Sequence, residues 1–77
     1  MTTKYIVRTA NVINDWGQTA EYDYSGYVDT LEEAMAIGNE VEIGGWIANW
    51  VVVETTMDEK TFTITEEEVY NYEKERD

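Results

Sequence analysis

Asp29–Gly45, DTLEEAMAIGNEVEIGG, is the stretch whose reading decides the fold. Thr30 and Glu33 stand at capping-box spacing, in which a hydroxyl and a carboxylate each satisfy a backbone N–H at a helix start. Leu31, Ala34, Met35, Ile37, Gly38 and Val41 recur at helical spacing and make one apolar stripe. Glu32, Glu33, Ala36, Asn39 and Glu40 fall on the opposite face. The pattern predicts a helix over residues 31–41. Gly44–Gly45 reads as its stop, because glycine takes the left-handed conformation that helix ends favour. An apolar helix face must pack on something, and the flanking sequence offers strands.

Residues 4–13 (KYIVRTANVI) are rich in β-branched side chains and partly alternate. Tyr5, Val7 and Thr9 share one face, and Ile6, Ala10 and Val12 the other. Apolar groups on both faces predict a central strand. Asn14–Gly17 has the composition of a turn. A second strand is expected over 18–28, with Glu21 and Asp23 pointing the same way because strand side chains alternate. Beyond the helix, residues 46–56 (WIANWVVVETT) form the most β-prone segment. MDEK at 57–60 connects it to a short strand, TFTI at 61–64. Thr65 and Glu68 repeat the capping-box spacing, so a terminal helix is expected over 66–76, anchored by Val69 and Tyr72. Its acids at 66–68 and its Lys74 and Arg76 suit the helix dipole. The resulting order is β-β-α-β-β-α. It predicts one α+β domain over 1–77, with a four-stranded antiparallel sheet in order 2-1-3-4 and the main helix on one face.

At 77 residues the core is small, and the absence of cysteine and histidine rules out disulfides and makes a zinc site unlikely to form. No apolar run approaches the length of a membrane span, and no signal-like segment opens the chain. A soluble cytoplasmic protein is expected, in the host cytoplasm if a phage encodes it. Seventeen acids against five bases give a formal net charge of −12. Such a surface repels nucleic acid and anionic membranes. Disorder is not expected, because aromatic and β-branched residues are interleaved with the charges.

Catalysis at neutral pH usually needs a group titrating near 7 or an activated nucleophile. With neither histidine nor cysteine, and with Ser25 the single serine, no enzyme activity and no cofactor are expected. Carboxylate neighbours such as Glu32/Glu33 and Glu66/Glu67 read as solvated surface. The EF-hand pattern is absent, so no metal site is expected. Gly44–Gly45 lacks the rest of a phosphate loop. Trp46 and Trp50 share a strand face, and in acidic surroundings they read as core rather than as a stacking platform for single strands.

The remaining signal is the placing of the acids. Glu21 and Asp23 lie about 7 Å apart on one strand face. Glu32 and Glu40 lie two turns apart on one helix face, with Glu33 beside them and Asp29 at the start. Helix N-termini favour Asp29, Glu32, Glu33 and Glu66–Glu68, but a helix C-terminus disfavours Glu40 and Glu42. The candidate partner-binding set is therefore Glu21, Asp23, Asp29, Glu32, Glu33, Glu40 and Glu42. Duplex DNA presents about one charge per 1.7 Å of axis, met by lysine and arginine. Carboxylates held in rows on a rigid domain can occupy such a basic site.

In this character the chain resembles the small, acidic, cysteine-free DNA mimics of phages and mobile elements, including anti-CRISPR and antirestriction proteins. The acids at 21, 23, 29, 32, 33, 40, 42, 54, 58, 59 and 66–68 carry the likeness. Those proteins share no motif or fold, so no residue role transfers. YVDTLEEAMAIGNEV followed by WVVVE is also similar to small phage-type β-β-α-β domains. The resemblance implies a non-enzymatic inhibitor of a basic nucleic-acid-binding host defence protein, with a CRISPR effector first and a restriction enzyme second. The alternative is a small acidic adaptor or regulatory module that binds through an apolar or tyrosine-rich patch, as monomer or dimer.

Overall fold

A computed structural model describes residues 1–75. The chain forms β1 (Thr2–Val12), β2 (Thr19–Asp23), α1 (Leu31–Gly38), β3 (Ile47–Asp58), β4 (Thr63–Asn71) and α2 (Tyr72–Glu75). The four strands make one antiparallel sheet in the order β2-β1-β3-β4, an α+β fold with the expected element order.

The pleat sorts the two faces. Thr9 stands opposite Trp50, Val7 opposite Val52, and Val52 in turn opposite Tyr70. This row faces α1, and Val7, Ala34, Val41, Trp50 and Val52 form the main core. Val28 continues the layer outside β2, exchanging both backbone hydrogen bonds with Tyr5. Trp50 is 1% exposed, with Tyr70 and Tyr72 rings 4.9 and 5.9 Å from its own. Ile6, Val51 and Val53 form a second, smaller cluster on the face without a helix.

Helix α1 starts where the sequence predicts: Thr30 Oγ1 accepts the Glu33 N–H at 3.1 Å. It ends earlier than expected, at Gly38, with Asn39 as C-cap. Glu40 and Val41 N–H groups bond Ile37 and Gly38 carbonyls, tightening the last turn. The reason for a glycine here is contact. A Cβ on Gly38 would lie 2.0 Å from Trp50 Cζ3, so the helix can rest on the indole only without a side chain. Gly44 and Gly45, at φ 131° and 57°, are therefore not the helix stop. They shape the turn into β3, where Gly44 and Ile47 exchange hydrogen bonds.

Three other expectations are corrected. Residues 66–71 are not helical: Glu66, Glu67 and Glu68 pair with Thr55, Glu54 and Val53 in β4. Backbone pairing along β3 outweighs a local capping-box match, and helix is confined to the four residues of α2. Arg76 and Asp77, the end of the expected helix, lie outside the described residues. Trp46 is also not core. It sits in the turn before β3, 64% exposed, while its carbonyl accepts the Val12 N–H. The second strand is shorter than the expected 18–28, stopping at Asp23 before the bridge at Val28.

Two substitutions test this packing. Trp50→Ala should cost about 3–5 kcal/mol. Gly38→Ala should cost about 1–3 kcal/mol through overpacking, although alanine normally favours a helix. Urea denaturation measures both, and a Gly38→Ala protein as stable as the parent would show that the indole contact is loose.

Candidate interaction surface

The seven predicted acids divide between the two sides of the sheet. Glu32 and Glu33 lie in the first turn of α1, and Glu40 and Glu42 follow its end; all four are exposed. Glu21 and Asp23 stand opposite Ala10 and Arg8, on the face away from α1. No single flat partner surface can meet both groups. The structure sets Glu32 and Glu33 at the start of α1 and Glu40 and Glu42 beyond its end, and separates all four from Glu21 and Asp23.

Internal cations engage two of the seven. Arg8 bonds Asp23 through Nε at 3.0 Å and Glu66 through Nη2 at 2.7 Å. Burial pulls the guanidinium down, but the bonds to Glu66 and Asp23 outweigh this and leave it above its ordinary value. In register terms this strap runs from β2 to β4 across the row that holds Val53, roofing the second cluster with charge. Asp29 takes the Lys4 ammonium. Lys74 lies 4.0 Å from Glu68, and the N-terminal ammonium lies near Glu59. The bond from the Thr2 hydroxyl, helped by that ammonium, holds the Glu59 carboxyl below its ordinary value. Among the described residues no ion pair reaches Glu21, Glu32, Glu33, Glu40 or Glu42.

The acids of β4 belong to this inventory, although the sequence reading placed them at a helix start. Glu67 stands directly opposite Glu54, a like-charge cross-strand pair that costs stability. Glu54 accepts the Tyr5 hydroxyl at 3.1 Å, and this bond holds the phenol above its ordinary pKa. No described cation bridges the two carboxylates. The signal for this strand is the alternation of Thr61, Thr63 and Thr65 with Phe62 and Ile64, which breaks at Glu66–Glu68.

At the β3–β4 hairpin end the helix-free face is not roofed. Thr2, Lys4, Tyr27, Thr55, Met57 and Ile64 line an open groove of about 410 Å³. Thr55 Oγ1 is buried there without a hydrogen-bond partner. Among the described residues no cluster of three or more potential metal ligands occurs, and no helix is long and apolar enough to cross a membrane. No protein-family model, curated protein or solved structure matches this chain.

Excess like charge opposes folding and is screened over about 10 Å at 0.1 M salt. The melting temperature should therefore rise as sodium chloride is added from very low ionic strength. Glu40→Gln should raise it too, since Glu40 follows the C-cap directly; Glu42→Gln should raise it less, because the dipole fades beyond the last turn. Thermal melts across a salt series check both, and a flat response would mean that the acids are locally compensated.

Proposed function

We propose that this protein is a non-enzymatic inhibitor that occupies a basic nucleic-acid-binding site on a host defence protein and excludes DNA from it. The observation that carries this reading is the set of Glu32, Glu33, Glu40 and Glu42 at the two ends of α1, exposed and without a cation partner among the described residues. From Glu32 to Gly38 the helix rises about 9 Å, so the acids at its two ends are spaced by an interval that covers several phosphates of a duplex. These acids ride on an elongated body of 45 × 23 × 21 Å, close in cross-section to a nucleic-acid duplex. Packing of α1 on Trp50 holds the carboxylates on a rigid layer, so little order need be gained on binding.

A CRISPR effector in the host cytoplasm is the first choice of partner, since its PAM site and strand channels are lined with arginine and lysine. A restriction enzyme is the second. Attraction of this kind speeds encounter and weakens steeply with salt.

Competition between this protein and duplex DNA for such a purified effector, over a salt series, tests the reading. The two ligands should be mutually exclusive. Reversal of Glu32, Glu33 and Glu40 together to lysine should abolish competition while circular dichroism stays unchanged. Reversal of Glu21 should do little, because it faces the other side. Simultaneous binding of protein and DNA would overturn steric mimicry and leave the adaptor reading, with its apolar and tyrosine-rich patch, in its place.

A further inference from the structure

Among the described residues nothing pairs with the outer edge of β4. The strand is nine residues long and pairs only with β3, so its other side presents unpaired backbone N–H and C=O groups. Such an edge is a template for an added strand. Its charges decide which strand. Glu66, Glu67 and Glu68 follow one another at its centre. Arg8 holds Glu66 and Lys74 lies 4.0 Å from Glu68, so of the three Glu67 alone has no described cation. A second copy pairing there would set glutamate against glutamate. Homotypic pairing is thus disfavoured, while lysine or arginine on an incoming strand would meet Glu67 and relieve its opposition to Glu54.

The apolar groove lies directly inside the same edge. Ile64, in β4, is 62% exposed and stands opposite Met57. Lys4, the one cation in the lining, is already held by Asp29. Next to Ile64 along the chain, at the hairpin tip, Phe62 is 81% exposed at φ 56°. A bulky side chain in the left-handed region is strained where glycine or asparagine would not be. Neither burial nor turn geometry explains a phenylalanine there.

We propose that the β4 edge and this groove together dock an extended, cationic segment of a partner protein, by strand addition. Lysine or arginine of that segment faces Glu67, and from the segment's other face an apolar residue seats against Ile64 and Met57, with Phe62 at the adjoining hairpin tip. This surface lies apart from the helix-side acids, and it stands whether or not the partner binds DNA.

The test uses the intact protein and two synthetic nine-residue peptides of alternating threonine and lysine, one with a terminal-side isoleucine and one with serine in its place. No DNA is present, so the outcome is separate from the competition assay. Amide NMR should show shifts at Ile64 and Met57, and hydrogen exchange should slow at alternate β4 residues. The serine peptide should bind about tenfold or more weakly, as should the isoleucine peptide to Ile64→Ser. Phe62→Gly provides a split that a purely structural role would not give: its melting temperature should rise while peptide affinity falls. Equal affinity for the two peptides would overturn the proposal, as would shifts confined to Glu32, Glu33 and Glu40. So would Phe62→Gly with unchanged affinity, absence of binding by either peptide, or occupation of the edge by a second copy of the chain.

Discussion

The structure depends on one close approach, Gly38 against the indole of Trp50. The indole is fully buried among Ala34 and Val41 of the helix layer and, on the same face of the sheet, Tyr70 at the end of β4 and Tyr72 just after it. One contact therefore joins the first helix to the last strand. A sheet this small has a single covered face, and its core must be concentrated around a large side chain. Trp50 fills that role because a bare stretch of helix lets it lie flat beneath α1. The early end of α1 falls at the same contact.

A one-sided sandwich leaves consequences on the other side. Ile6, Val51 and Val53 are buried there without a helix, under long polar side chains that span the strands. Arg8 does this at the β2 end, tied to Asp23 and Glu66. Toward the β3–β4 hairpin no equivalent strap occurs, and Met57 and Ile64 remain at the surface. The acids are divided in the same way. Asp23, Asp29, Glu59, Glu66 and Glu68 are held by Arg8, Lys4, Lys74 or the N-terminus, whereas Glu32, Glu33, Glu40 and Glu42 meet no cation among the described residues.

Much of this was legible in the chain. The two-faced apolar pattern of residues 4–13 marked a central strand, and the Thr30 cap marked the start of α1. Antiparallel return of the valine-rich strand beside the first then gave the sheet order. Three features were not legible, each for a physical reason. Thr65 to Glu68 matches a helix start locally, but pairing of Glu66–Glu68 along β3 prevails, and that partner is distant in sequence. Gly44–Gly45 resembles a helix stop, yet α1 already ends at Gly38, where the chain lies against Trp50, a residue distant in sequence. Trp46 shares a strand face with Trp50 only if the strand is regular so far back; the Gly44–Ile47 bridge turns it out. Of the candidate site, the helix-side acids were legible from periodicity. The Glu54–Glu67 opposition was not, because it exists only in the β3–β4 register.

The central claim is that Glu66–Glu68 form an edge strand, with Glu66 tied to Arg8 and Glu67 set against Glu54, beside a sheet face that no helix covers. Through-space proton NMR contacts in solution test it most directly. The account predicts cross-strand contacts between Met57 and Ile64 and between Glu54 and Glu67, with none between residues three or four apart over 66–71. Helical contacts running through 66–71, with Glu54 lacking a neighbour on that side, would contradict it.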